Sequence, residues 1–391
     1  MDGIRIAFFT DSYLPAVDGV VTSILNFREE LKRRGHRVFV FASAKRNYLR
    51  KYSSNDTFLY PGIEFKPYPQ YNVAIFPYNS VFKLGELDVD IVHSQTPMVM
   101  GFAGLIGAKV LKCRTIGTYH TNVTNRPVVN AYYPKNRHMS RLAAAYMTKY
   151  MRFFYNSCDR VISPSETIKR MLIRNGIENV GVVPNCIDIS RFNAQVSGDS
   201  IREALGIRPS EKMVLYLGRI SKEKRIEILL KAASLLMRKD ESVRLVIGGT
   251  GPATEHYRAI ASKLGISHKT KFIGFVKEKS LPELYAACDA FCLPSTFETQ
   301  GIVVIEAMAM GKPVVGADYM AIKELIKPGV NGEKFRPGDY TGCAKKIDKV
   351  LNNAGRYRHA AIKTAAEFSR EKATDRLLDT YNMVLSNKAI N

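Results

Sequence analysis

The stretch Ser295-Thr296-Phe297-Glu298-Thr299-Gln300-Gly301-Ile302-Val303-Val304-Ile305-Glu306-Ala307-Met308-Ala309-Met310-Gly311 holds the residues best suited to chemistry. From Gly301 to Gly311 the only charge is Glu306. A carboxylate in an otherwise apolar helix is costly to bury unless hydrogen-bond donors meet it, and sugar or ribose hydroxyls are such donors. Glu298 falls just before the helix, where a polar side chain can reach a ligand at the N-terminus. Gly301 permits close approach there, and the free amides of a first turn suit phosphate oxygens. On spacing alone a second reading stays open, in which protein amides or a lysine satisfy Glu306.

The elements that must position these residues form an alternating series. Ile4 to Phe9 reads as a strand, and Val20, Ile24, Phe27 and Leu31 recur at helical spacing until Gly35. A strand at Arg37 to Ala42, another at Asp90 to His93, a helix near 100–111 and a strand at Arg114 to Thr118 follow. A basic aromatic helix near 137–157, a strand at Arg160 to Ile162 and a helix at 165–175 complete the first half. The pattern restarts after Pro184, with a strand at Met213 to Leu217, a helix from Glu223 to Arg238 and a strand at Val243 to Ile247. Repeated βα units predict an α/β fold of two Rossmann-like, doubly wound parallel sheets, with ligands at the carboxyl ends of the strands. The polar stretch from about 190 to 210 reads as the hinge. Residues 44–72, rich in Tyr, Pro, Asn and Ser, read as a long irregular insertion, a kind of loop that is often functional.

Two glutamates with seven residues between them, followed by Ala-Met-Ala-x-Gly-x-Pro-Val-Val, resemble the E-x7-E signature of the family-four retaining glycosyltransferases of the GT-B fold. The resemblance implies two domains facing a central cleft. It implies that Glu298 contacts the transferred sugar, that Glu306 meets the ribose hydroxyls, and that amides near Gln300, Gly301 and Ile302 face the sugar and diphosphate. Leu217-Gly218-Arg219-Ile220-Ser221-Lys222-Glu223-Lys224 is similar to the family's G-R-x-x-x-E-K turn, whose Arg and Lys bind the diphosphate; these become Arg219 and Lys224. Two cations at a strand's end neutralise charge on a departing nucleoside diphosphate. Lys222 and Arg225 read as solvated surface charges. Gly248-Gly249-Thr250-Gly251-Pro252 and Gly274-Phe275-Val276 match the places where the family positions its nucleotide. In the first half, Gly19 opens a helix whose N-terminus can meet the diphosphate, although Asp18 stands where many members carry a glycine. Thr118-Tyr119-His120-Thr121 resembles the segment whose histidine faces the donor sugar, which puts His120 near the reacting centre. Val183-Pro184-Asn185-Cys186-Ile187-Asp188 resembles a P-N-G-(V/I)-D turn, read as structural. Domains are expected at 1–190, at 191–370, and as a final helix in 371–391 that crosses back to the first.

The resemblance implies transfer of a hexosyl group from a UDP-glucose or GDP-mannose type of donor by front-face displacement. No cofactor is expected. Arg219 and Lys224 fill a metal's electrostatic role, so the reaction is expected to need no metal. Asp88-Val89-Asp90 has metal-binding spacing, but Asp90 begins a buried strand. The single-Gly loop at Gly19 and Thr299-Gln300-Gly301 look like the branch that glycosylates diacylglycerol-type lipids, so a lipid acceptor is expected. A soluble or polysaccharide-precursor acceptor is the alternative.

Composition agrees with an anionic partner. The net charge is +22, and residues 1–190 hold 25 Lys/Arg against 14 Asp/Glu, so the excess is spread over both halves. The segment 137–155 interleaves Arg137, Arg141, Lys149 and Arg152 with Tyr146, Tyr150 and Phe153. It reads equally as a helix lying on an anionic membrane and as a core helix with a wet basic face. No stretch reaches the roughly twenty apolar residues needed to cross a bilayer. No secretion leader precedes the first strand, and the six cysteines lack C-x-x-C spacing. A cytoplasmic protein, or one peripheral to the cytoplasmic face of a membrane, is expected. Two rivals remain: a nucleic-acid-binding protein, for which no recognition module is found so that no specific nucleic acid is expected, and a sugar-nucleotide epimerase of the same fold.

Overall fold

The computed structural model describes residues 3–16, 18–64, 72–75, 77–120 and 137–386. The chain divides into two compact units, one of residues 1–186 with 370–391 and one of 187–369. Each is a sheet between layers of helices.

In the first unit the described strands are β1 (Arg5–Thr10), β2 (Arg37–Ala44), β3 (Thr57–Glu64), β4 (Asn72–Ala74), β5 (Ile91–Ser94), β6 (Arg114–Thr118), β7 (Arg160–Ser163) and β8 (Val180–Val182). They lie in the order β4-β3-β2-β1-β5-β6-β7-β8. All pairs are parallel except β3 with β4. β1 and β2 are buried on both faces, which is why they read as continuous apolar runs rather than alternating ones. The helix Gly19–Arg33 buries Val20, Ile24, Phe27 and Leu31 in one core layer, together with Ala373, Leu377 and Tyr381 of the helix Arg370–Ser386. That final helix is fastened at its start, where Arg34 binds Asp375 and Arg370 binds Asn26.

The expected irregular insertion at 44–72 is corrected. It contains the helix Arg46–Tyr52 and the eight-residue strand β3 in parallel register with β2. Thr57-Phe58-Leu59-Tyr60 is β-branched and aromatic, and Phe58 and Tyr60 pack on Phe41; this outweighs the Pro61-Gly62 turn signal in the same strand.

The second unit holds β9 (Lys212–Leu217), β10 (Val243–Gly248), β11 (Thr270–Gly274), β12 (Ala290–Leu293), β13 (Val314–Ala317) and β14 (Gly332–Phe335) in the order β11-β10-β9-β12-β13-β14, all parallel. The helix expected from Glu223 starts at Ile226 instead. Arg225 has φ +54, a left-handed value that closes a short 3-10 turn over Lys222–Lys224 and cannot continue a helix. The six cysteines are free, and five of them are buried.

Candidate active site

In the second unit the strand order turns back between β9 and β12, which is the switch point where loops at the carboxyl ends part and ligands bind in doubly wound sheets. Lys224 comes from the connection after β9 and Glu298 from the one after β12. Across the switch point Lys224 Nζ donates to Glu298 Oε1 at 2.7 Å, with the two side chains 19% and 13% exposed. Arg219, half-buried, stands at the same end of β9, and its carbonyl accepts from the Tyr216 hydroxyl at 2.9 Å. Lys222 and Arg225 are exposed.

Main chain approaches main chain around these side chains. Gly218 N donates to Gly248 O at 3.1 Å and Gly249 N to Gly274 O at 2.7 Å. A Cβ on Gly249 would stand 1.9 Å from Gly218 O, so only glycine allows the turns after β9, β10 and β11 to lace together. Gly274 and Val276 lie in the last of these turns, half-buried, with Phe275 exposed between them. After β12, Gly301 has φ +85 and a Cβ there would meet Ile322 at 2.6 Å; it caps the helix Ile302–Ala309. Gln300 is buried just before it, and Ile302 opens the helix half-buried.

Glu306 lies inside that helix, 7% exposed. Its Oε2 accepts from the Tyr285 hydroxyl at 2.7 Å, and among the described residues nothing else hydrogen-bonds to this carboxylate. The protein donor is therefore a tyrosine, neither the amide nor the lysine weighed from sequence. Burial pushes the carboxyl up to about 7, against the Tyr285 hydrogen bond and Arg191, which lower it; Glu278 adds to the rise.

The first unit has its own switch point between β1 and β5. Asp11, beyond β1, is buried. Its carboxylate accepts from Thr96 Oγ1 at 2.7 Å and Met100 N at 3.0 Å, while its own N–H donates to Thr96 Oγ1 at 2.8 Å. Burial pushes this carboxyl up to about 6, despite those hydrogen bonds. His120, beyond β6, places Nε2 2.8 Å from Gln95 Oε1, so the Gln95 side-chain amide orients the imidazole. Desolvation holds the imidazole at about 4, neutral at ordinary pH. At the helix after Gly19, Asp18 is the cap: Val20 N and Val21 N donate to its Oδ1 at 2.8 and 2.9 Å, and Ser12 Oγ donates to Oδ2 at 2.8 Å. Those first-turn amides are engaged by a carboxylate of the protein itself.

Asp88 and Asp90 both bind Arg5 at the amino end of β5, the end of the sheet away from the switch point. On the helix Arg137–Asn156, Arg141, Lys149 and Arg152 are exposed, as are Leu142 (68%), Tyr146 (71%) and Phe153 (60%). Tyr150 is half-buried, its hydroxyl bonded to Pro97 O, and Arg137's side chain lies outside the described residues. Among the described residues no helix is long and apolar enough to cross a membrane.

Sequence reading had singled out neither Tyr285 nor Gln95, Thr96 and Asp11. Tyr285 falls at core spacing on the helix Leu281–Ala287, where a tyrosine reads as packing. The other three stand directly after strands β1 and β5, and that position is the signal that could have found them.

Two sheets of this topology, each with polar groups at its switch point, make up the two-domain GT-B fold. Residues 17–191 match the model for Glycosyltransferase Family 4, and residues 197–368 match that for glycosyl transferases group 1. The chain belongs to the family-four glycosyltransferases and is an enzyme of that class. It is 29% identical over 392 residues to the alpha-monoglucosyldiacylglycerol synthase of Streptococcus pneumoniae, covering 98% of this chain and 87% of that protein. A GDP-mannose-dependent alpha-mannosyltransferase of Corynebacterium glutamicum is also 29% identical, over 84% of this chain and 76% of its own. Among solved structures, Anabaena HepE in complex with UDP and glucose shares the fold with a TM-score of 0.77, at 20% identity over 97% of this chain and 100% of that one.

Proposed function

We propose that the protein is a retaining hexosyltransferase that moves a sugar from a nucleoside diphosphate onto a hydroxyl of a membrane glycerolipid. The observation that carries this is the Lys224–Glu298 pair at the switch point, with Glu306 about one turn into the helix that Gly301 caps. Glu306 accepts from the ribose hydroxyls and Glu298 from the sugar hydroxyls. Arg219, Lys224 and the amides of Gln300, Gly301 and Ile302 receive the diphosphate, in the turns that Gly274 and Val276 complete. When the diphosphate enters, Lys224 exchanges part of its contact with Glu298 for phosphate, which frees that carboxylate for the sugar. In the first unit His120, held neutral by burial, offers a sugar hydroxyl a hydrogen-bond partner and not a cation. In the first unit, Gly19 opens a helix whose first-turn amides suit a phosphate once Asp18 yields them.

In front-face displacement the bond from the anomeric carbon to the phosphate oxygen breaks as the acceptor oxygen bonds on the same face. The acceptor proton passes to the leaving phosphate oxygen. Arg219 and Lys224 supply the positive charge, so the reaction proceeds without a metal. The name of the Streptococcus relative supports a glucosyl donor and a diacylglycerol-type acceptor. That of the Corynebacterium relative keeps GDP-mannose as the second donor to try. The test is a screen of UDP- and GDP-sugars with a mixed lipid extract, read by mass spectrometry, with the product's anomeric configuration read by NMR. An α-linked glycolipid formed in the presence of EDTA is expected. An inverted linkage, loss of activity in EDTA restored by magnesium, or transfer to soluble acceptors alone would overturn the corresponding part.

A further inference from the structure

We propose that Tyr285 is a positioning residue for nucleotide recognition: its hydroxyl holds Oε2 of Glu306 and leaves Oε1 to receive the ribose hydroxyls. The inference rests on the reading of Glu306 given above and adds a residue from a different element. Tyr285 lies on the helix Leu281–Ala287, is fully buried, and is itself wedged by Phe291 and Phe192, ring centroids 5.6 and 6.0 Å away. Its ring therefore cannot swing, and the 2.7 Å hydrogen bond fixes the carboxylate's rotation about its last bond.

A phenol that donates to a carboxylate also favours the charged form. Without it, a buried carboxyl with no other hydrogen-bond donor among the described residues takes up a proton more readily. The charged groups acting through space are Glu278 and Arg191, and they pair with each other, Arg191 Nη1 to Glu278 Oε2 at 2.8 Å, so they offset one another at Glu306. Lys312 is turned to Ala286 O at 2.6 Å, and Tyr357, on the helix Ala354–Ala366 packed beside that of Glu306, is turned to Glu333. Tyr285 is thus the group that holds the carboxylate in its acceptor form. A protonated Glu306 keeps the same shape but loses acceptor capacity toward hydroxyl donors.

The experiment is UDP binding by calorimetry to the full chain, as the parent, Tyr285→Phe and Glu306→Gln, between about pH 6.5 and pH 9, with near-UV circular dichroism as the check on packing. The comparison is made at each pH, so the probe's own ionisation cancels. Tyr285→Phe should bind UDP about ten-fold more weakly than the parent at the acid end. It should return to within about two-fold at the alkaline end, because loss of one charge-assisted hydrogen bond moves the carboxyl upward by a unit or more. Glu306→Gln should be weak throughout, and adding Tyr285→Phe to it should change little. A Tyr285→Phe loss that is even across the range, or no loss at all, overturns the positioning role while leaving Glu306 in the site if Glu306→Gln is weak. Undiminished UDP affinity of Glu306→Gln instead overturns the site reading beneath it.

Discussion

Glu306 and Glu333 are both buried glutamates of the second unit, and their partners give them opposite chemistry. Burial raises both. At Glu333, however, the ammonium groups of Lys346 (2.7 Å) and Lys349 (2.5 Å) and the Tyr357 hydroxyl outweigh it and hold the carboxyl at about 2. Glu306 has one neutral donor and stays near 7. Glu333 is therefore a structural charge and Glu306 one that awaits a ligand. Glu333→Gln should cost stability, on the order of 1–3 kcal/mol at neutral pH, by denaturant unfolding. Because its carboxyl is depressed on folding, the contribution is complete above the ordinary carboxylate range and disappears as pH falls toward 2, so variant and parent should converge in acid. Glu306→Gln should leave unfolding at pH 8 unchanged or raised, since a desolvated charge is removed, while nucleotide affinity falls by about 1–3 kcal/mol. An equal stability loss in both variants would place Glu306 with the structural charges. At this scale Glu306 was legible as a lone charge in an apolar run. Tyr285 was not, because a tyrosine at helical core spacing has the same pattern whether or not its hydroxyl serves a site.

Elements were legible wherever hydrophobic period was strong, as in β1, β9, β10 and the helix Gly19–Arg33. They were misread where one residue decided the outcome. Arg225 at φ +54 delays a helix by three positions, and Phe41, from another strand, stabilises β3 in a segment whose composition looks like loop. The long-range partners of β5 were equally hidden. Its His93 is buried between two elements far apart in sequence, Nδ1 2.8 Å from the Tyr381 hydroxyl of the last helix and Nε2 2.6 Å from Thr118 Oγ1 of β6. Desolvation, with the nearby His120 adding to it, holds this imidazole at about 3. A folded value below the unfolded one, about 6.5, means that its contribution is whole above that pH. As pH falls from 6.5 toward 3 the unfolded chain takes up a proton that the native chain refuses, and the contribution fades by about 1.4 kcal/mol per unit. His93→Gln should therefore destabilise the first unit at pH 7.5 and progressively less by pH 5, where the gap to the parent has narrowed by about 2 kcal/mol. Tyr381→Phe should cost on the order of 1 kcal/mol and free the last helix toward proteolysis. A gap between His93→Gln and the parent that is constant from pH 7.5 to 5 would show that the imidazole's charge state is irrelevant to folding.

At the scale of the whole chain, the net charge of +22 favours anionic partners, and the excess is spread over both halves. In the first unit exposed cations share helices with exposed apolar side chains. Arg141, Lys149 and Arg152 stand among Leu142, Tyr146 and Phe153. The neighbouring helix Val99–Leu111, joined through the Phe102–Phe153 contact at 6.4 Å, exposes Ile106 and Val110 beside Lys109. Nucleic acid would reward the cations and rings, whereas a bilayer interface also rewards the exposed aliphatic Leu142, Ile106 and Val110. The unit is expected to dock on anionic membranes, which would bring the enzyme to the lipid acceptor proposed above. Each cation near the surface contributes on the order of 1 kcal/mol, a part that weakens as salt shortens the screening length, while the exposed rings add a part that salt does not remove. Co-sedimentation with phosphatidylglycerol vesicles should be strong, that with phosphatidylcholine vesicles weak. Arg141, Lys149 and Arg152 changed together to Gln should lose most of the low-salt binding, about 3 kcal/mol or two orders of magnitude in partition. Leu142, Tyr146 and Phe153 changed to Ser should instead lose the binding that survives high salt. Parent and triple-Gln chains that sediment alike would move the contact to another face, and binding to neither vesicle would leave the charge to a soluble anionic acceptor.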